Sequence, residues 1–412
     1  MLRKNPRYAT DFFSVNQWML RRAGLWRPSN KNKTVQFCYT LYAIFVFIFV
    51  NLWFTSTEFI SLFYTYKDKY ALIKNVNFFL THFMGAIKVV FWYFCGQYLM
   101  EIMQDLENPN NHYEGYKDYQ PGIISQKYKK QGSKYSLMFL MLAHATLTSS
   151  YVFSTITTIQ HMKGNSTVAL PDRLPYYSWM PFSYDTGPKY LLAMAYQAGP
   201  MFSYAYSIVG MDSLFMNIMN CIAANVTIIQ GAFKTIRERA LPGQPNNVLH
   251  ESKADMDVMR VELRKIVNHL QTIFKACDKL ENVHRMVTLC QVTATLFILC
   301  TCLYLVSIAP PLSKQFLVEF VYMLAMSFQL YLYCWFGNEV TIKFQELPRY
   351  IWASSWLATD TQFKKALLFT IMRTKRPVFL TAGKFSRLIL PTFMSILKTS
   401  YSIFALIRNT SK

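Results

Sequence analysis

Acidic residues are scarce in this chain of 412 residues: Asp and Glu number 22 against 43 Lys and Arg, a net charge of +21. A basic excess suggests nucleic acid only where the cations gather on a soluble face. Here they fall between long apolar runs, so no nucleic-acid partner is expected. Also missing are a phosphate-binding glycine loop, a Gly-x-Ser-x-Gly turn and His or Cys pairs at metal-ligand spacing. The seven histidines are scattered. No enzyme activity, metal or cofactor is expected. Residues 1–33 lack a compact apolar core followed by a small-residue cleavage site, so the first apolar run is expected to act as its own insertion signal. Of the eight cysteines, none lies in an expected outer loop, which excludes an extracellular disulfide framework.

What is present is apolar length. The chain is 52% hydrophobic and 17% aromatic, and about 20 mostly apolar residues suffice for a membrane helix. Seven spans are expected, over 35–64, 72–100, 135–161, 190–219, 287–307, 316–337 and 378–407. The fold class is therefore an all-α polytopic membrane protein. Basic residues mark the cytosolic side of short loops. They crowd the N-terminal segment (Arg21, Arg22, Arg27), the fourth connection (Arg237, Arg239, Arg264, Lys265) and the last one (Lys364, Lys365, Arg373, Arg376). This places the N-terminus in the cytosol and, after seven crossings, the C-terminus outside. The Asn165-Ser166-Thr167 sequon then falls in an outer loop, a candidate glycosylation site.

The cytosolic parts are patterned too. Met259, Leu263, Ile266, Leu270, Ile273, Cys277, Leu280, His284 and Val287 recur at spacings of four and three, a heptad seam leading into the fifth span. Trp352, Trp356, Phe363, Leu367 and Ile371 suggest a second amphipathic helix. The fourth span is expected to continue as helix through Arg239 and to end at Leu241-Pro242-Gly243. Together these form a packed intracellular bundle. Phe12, Val15, Trp18, Met19, Leu25 and Trp26, flanked by arginines, resemble an interfacial helix.

The last span is unusually polar. It holds Lys384, Arg387 and Lys398 besides Thr392, Ser395, Thr399, Ser400 and Ser402, and charges in hydrocarbon normally face protein or water. A subunit interface or an aqueous path is its expected setting. Within other spans, Lys88 and Asp212 are candidates for structural pairing, and Glu58 lies near the outer end of span one. A G-protein-coupled receptor is excluded: the charge bias is reversed, and the Asp-Arg-Tyr-like triplet and the Asn-Pro-x-x-Tyr of that family are missing.

The C-terminal quarter resembles the insect odorant receptors. The resemblance runs through Phe336-Gly337-Asn338-Glu339-Val340, Trp356, Lys364-Lys365-Ala366-Leu367-Leu368, Arg376-Pro377, Thr381-Ala382-Gly383-Lys384 and Ser395-Ile396-Leu397-Lys398. It closes with Ser400-Tyr401 and Phe404-Ala405-Leu406-Ile407-Arg408, and Gly210-Met211-Asp212-Ser213-Leu214-Phe215 fits earlier. The gustatory relatives end differently, and the obligate co-receptor carries a large cytosolic insertion that this chain lacks. It thus resembles a variable, odour-tuned subunit.

That resemblance implies a heterotetrameric, odorant-gated, non-selective cation channel in the plasma membrane of an olfactory neuron dendrite. Its partners would be the co-receptor, a small volatile hydrophobic ligand, membrane lipid and permeating cations, without a G protein. The implied division is a cytosolic segment 1–34, spans one to four over 35–230 with an outer-half ligand pocket, and cytosolic extensions over 231–286. Spans five and six follow over 287–337, an anchor helix over 338–377 and a pore-lining helix over 378–412. Pocket candidates are Phe79, His82 and Phe83, Thr148, Tyr151 and Val152, Met194 and Gln197, and Phe320 with Met323. Lys398, Ser402, Ala405 and Asn409 share one face of the last helix. Ser402, Ala405 and Asn409, flanked by Leu406, are the expected pore constriction. The other classes considered are a polytopic secondary transporter and a metabotropic seven-helix chemoreceptor.

Overall fold

The computed structural model describes residues 8, 11–28, 32–162, 173–185, 187–244 and 250–410. Asn165 lies outside the described residues. Among the described residues, seven helices are long and apolar enough to cross a membrane, matching the expected number.

Short helix α1 (Ser14–Arg22) precedes the first span. That span is α2 (Lys33–Val46), a π-helical stretch over Phe47–Phe54, and α3 (Thr55–Thr65). Then come α4 (Lys69–Leu106), α5 (Pro121–Met162) and α6 (Gly187–Lys234), with the short α7 (Ile236–Ala240) following a break at Thr235. Next are α8 (Lys253–Ile308), α9 (Lys314–Trp352) and α10 (Thr361–Thr374). A two-stranded hairpin, β1 (Thr381–Ala382) with β2 (Ser386–Arg387), leads into the last helix, α11 (Leu390–Thr410).

Helix starts are written locally. Asn32, Asp68, Ser252, Ser313 and Asp360 each offer a side-chain oxygen to an amide of the first turn, satisfying donors that have no intrahelical acceptor. Asp360 also pairs with Arg260 of α8. The Phe363 amide first, and then Arg260, hold the Asp360 carboxyl below the usual carboxylate range.

At 56 residues, α8 is about 84 Å long, far more than the roughly 30 Å hydrocarbon core. Its excess carries the heptad seam, and every residue of that seam is buried. The main apolar core gathers there, joining α4, α6, α8, α9 and α10. Central to the bundle is α6, with 89% of its most apolar window buried. Large apolar side chains such as Phe37, Phe63 and Phe94 stay exposed on the outer helices, as lipid-facing residues must.

Two local expectations are corrected. The segment before the last span is not helical: the helix expected over 378–407 begins at Leu390. Its 21 residues span about 32 Å, one hydrocarbon core. Lys384 and Arg387 therefore leave the membrane helix for the hairpin, so of the three charges only Lys398 remains within it. Gly383 explains the break. Its φ is +62°, and a Cβ there would stand 2.5 Å from Leu289 Cδ2; only glycine fits so close a left-handed turn. Thr381 and Gly383 donate backbone N–H groups to Glu281 (2.8 Å) and Arg285 (2.9 Å) of α8. The second correction concerns Trp352 and Trp356, which do not open a separate helix. Trp352 ends α9, Trp356 sits in a turn, and Phe363 and Leu367 bury the face of α10.

At the N-terminal end, α1 packs one face on the bundle and leaves Trp18 and Arg22 on the other. Phe12, Met19 and Leu20 are buried against the bundle. Asn16 donates to Ser213 Oγ (2.8 Å) and accepts from Asn217 (2.7 Å) on α6, and Leu20 packs against Gly210. The buried Asn16 is thereby satisfied.

Candidate functional site

Between α4, α5, α6 and α9 lies an apolar cavity of ≈ 90 Å³. Phe78, Leu147, Met201, Tyr204, Tyr322 and Met326 supply its apolar walls, and Tyr176 of the α5–α6 connection caps it. Gln197 holds that connection, donating to the Tyr176 carbonyl (2.7 Å) and to Ser178 Oγ (2.9 Å). Phe78 packs its ring 4.8 Å from both Tyr176 and Tyr322. Small-molecule pockets of this kind are mainly apolar, with a few polar groups that set orientation.

Most polar groups on the wall already have partners. Tyr204 donates to the Val50 carbonyl (2.8 Å), Tyr322 to the Asn77 carbonyl (3.2 Å), and Thr81 meets Tyr322 at 2.6 Å. His82 is different. Its Nδ1 faces the buried Glu58 carboxylate at 2.8 and 2.9 Å, and its ring stacks on Tyr204 at 4.2 Å. This leaves Nε2 as the side chain's remaining hydrogen-bonding atom.

A polar chain runs from the floor of the cavity. Gln329 lines it and donates to Asp212 Oδ2. Asp212 also takes Lys88 at 2.5 Å and Tyr333 at 2.8 Å. Gln291 of α8 donates to Gln329 Oε1 (3.2 Å) and to Thr295 Oγ1 (2.9 Å). One residue along α8, the Leu296 carbonyl accepts from Ser400 of α11 at 3.2 Å. Cavity wall and last helix are thus joined through α8.

Of the pocket candidates, the cavity takes only His82 as a lining residue. Phe79 and Phe83 stack on each other at 5.6 Å, with Phe79 5.5 Å from Phe59 and Phe83 exposed. Thr148, Val152 and Phe320 are exposed. Tyr151 stands beside Tyr176 with ring centres 6.1 Å apart. Met194 joins a small separate cluster with Leu174 and Met180, and Met323 packs behind the cavity wall. Gln197 braces the cap. The wall residues Phe78, Leu147 and Tyr322 each stand one position from an expected residue, Phe79, Thr148 and Met323. The helices are apolar around their circumference, so periodicity alone carries no phase. Asn77, Thr81 and Lys88, on one face of α4, were the available signal.

On α11, Ile396, Ser400 and Phe404 are buried against the bundle. Ser402, Leu406 and Asn409 are exposed and Ala405 half-buried, with Lys398 exposed beside them. At 3.6 residues per turn these lie opposite the packed face. Only 17% of the helix's most apolar window is buried within this chain.

Among the described residues the site thus combines seven membrane-length helices, an apolar cavity between four of them and a last helix exposed on one face. The family described as 7tm Odorant receptor matches residues 70–401, and the chain belongs to it. Among relatives, odorant receptor 2a of Drosophila melanogaster is 21% identical over 404 residues, 97% of this chain and 96% of that one. Odorant receptor 94a of the same species is 32% identical over 97 residues, 24% of this chain and 25% of that one. The olfactory receptor OR5 from Machilis hrabei in complex with eugenol shares the fold, with a TM-score of 0.79 at 13% identity over 97% of this chain and 98% of that one. The family is one of receptors, and the chain is a multi-pass membrane protein.

Proposed function

We propose that this chain is the odour-tuned subunit of a heteromeric, odorant-gated, non-selective cation channel. A small volatile molecule enters the apolar cavity, and α11 with its counterparts from neighbouring subunits forms the pore. The observation that carries this reading is the pairing of an apolar cavity with an open face of α11 that carries Lys398, Ser402 and Asn409, the two joined through α8. The structural relative's complex with eugenol supports a small, weakly polar ligand. Here that ligand would place an oxygen near His82 Nε2 and its carbon frame against Tyr204, Met201 and Phe78. The cavity is smaller than the roughly 150 Å³ space that holds benzene in an engineered protein core, so binding requires side-chain displacement.

Gating then follows from differential affinity. A ligand that favours the open arrangement tenfold shifts the equilibrium by about 1.4 kcal/mol. In this account the N-terminus is cytosolic, the C-terminus is outside, and the α8 seam with α10 forms the intracellular anchor. The groove between Phe274, Phe369 and Arg373 receives a neighbouring subunit. The protein would reside in the dendritic plasma membrane with the co-receptor. Co-expression with the co-receptor and whole-cell recording under G-protein blockade tests this: a volatile panel should contain agonists that evoke cation current. No current from any of a broad panel, with both subunits at the surface, overturns it.

A further inference from the structure

A second cavity, of ≈ 460 Å³, adjoins the apolar one on the side away from the α8 seam. The two stack along the same helices. Lys74 lies one turn before Phe78 on α4, Ser150 one turn after Leu147 on α5, and Glu319 one turn before Tyr322 on α9. Their linings differ in kind. Asp68, Lys74, Lys314 and Glu319 bring charge to the second cavity, whereas the first is almost wholly apolar.

Three of those four charges are engaged. Asp68 caps α4, accepting from the Tyr70 and Ala71 amides at 2.9 and 3.3 Å. Lys314 donates to Gln160 Oε1 at 2.7 Å. Lys74 stands 5.7 Å from the centre of the Tyr177 ring. Glu319 is only 1% exposed, yet its Oε1 has no hydrogen-bond partner and no described cation pairs with it. Lys74 lines the same cavity as Glu319 and forms no ion pair with it.

An unpaired buried carboxylate is costly and is relieved by taking up either a proton or a counter-ion; this one sits on the wall of a cavity large enough to admit the counter-ion. A divalent metal is a poor match, because no group of three or more His, Cys, Asp or Glu converges among the described residues. A neutral guest would leave the carboxylate unpaired. We propose that this cavity is a binding site for organic ammonium ions, with Glu319 holding the charged head and Phe153, Leu174 and Val318 receiving an apolar tail. Lys74 opposes the bound cation and limits its affinity. The site goes beyond odorant gating at the apolar cavity and does not depend on it.

The test is binding rather than current, so its failure is separable from failure of the channel reading. The full-length chain, purified in detergent near neutral pH, is titrated with 4-phenylbutylammonium and with 4-phenylbutan-1-ol while thermal unfolding is followed. The ammonium should raise the midpoint saturably and at lower concentration than the alcohol. Glu319→Gln should weaken the ammonium at least about tenfold, the scale of a charge-assisted bond, while sparing the alcohol. Lys74→Met should strengthen the ammonium by about threefold. Equal behaviour of the two probes, or an ammonium affinity unchanged by Glu319→Gln, overturns the proposal. Where Glu319→Gln does not fold, an unchanged affinity in Lys74→Met overturns it instead.

Discussion

Lys88 Nζ lies 2.5 Å from Asp212 Oδ1, with both side chains buried between α4 and α6. Asp212 is further held by Tyr333 and Gln329, so one carboxylate ties three helices beneath the apolar cavity. Removing one member of such a pair strands the other charge and costs about 3–5 kcal/mol, whereas replacing both by apolar residues is often neutral. Lys88→Met alone should therefore sharply lower the thermal midpoint and the surface yield. Lys88→Met combined with Asp212→Leu should recover most of the loss. A single variant as stable as the parent would contradict the buried pair.

Ala205 lines the apolar cavity and is buried. Ala205→Leu fills the space at an overpacking cost of about 1–3 kcal/mol. The half-maximal odorant concentration should rise at least tenfold, with surface protein largely preserved. Leu147→Ala should shift preference toward bulkier odorants. Concentration–response curves against surface-labelled protein decide, and unaltered tuning in both variants contradicts ligand binding at this cavity.

Gly383 joins the hairpin to α8, and its conformation excludes a side chain on two grounds, φ and the contact with Leu289. Gly383→Ala should destabilise by about 1–3 kcal/mol. Adding Leu289→Ala should relieve the contact but not the φ strain, giving partial recovery. The thermal midpoints of the two variants measure this, and an unchanged midpoint in Gly383→Ala would falsify the hairpin geometry.

Much of this fold was legible because length and period are strong signals. Seven apolar runs gave seven helices, and the stripe from Met259 to Val287 is buried throughout, since a projecting helix must cover such a face. The turn at Gly383 was hidden by its neighbours. Val378, Phe379 and Leu380 read as continuous with the apolar helix beyond, and only the glycine marked the break. The cavity was legible as a region, not as residues. Phe78 and Phe79, or Tyr322 and Met323, are equally plausible wall residues until helix phase is fixed, and that phase comes from tertiary contacts of Asn77, Thr81 and Gln329.

The proposed sidedness, with the N-terminus cytosolic and the C-terminus outside, rests on the basic loops. An epitope tag after Lys412 should bind antibody on intact cells, and one placed before Met1 only after permeabilisation. The reverse pattern, or two protected tags, contradicts seven crossings with a cytosolic N-terminus.

The exposed face of α11 carries the central claim, and Ser402 is its most direct probe. Ser402→Cys, co-expressed with the co-receptor, is exposed to a positively charged thiol reagent from the outside of an excised patch lacking nucleotides. Odorant should evoke current before treatment. Block after treatment should be irreversible, faster with odorant present and absent from the unsubstituted chain, whose own Cys38 and Cys290 are exposed. Current that needs cytosolic nucleotide, or that ignores the reagent at both Ser402→Cys and Asn409→Cys, would contradict a pore lined by this helix.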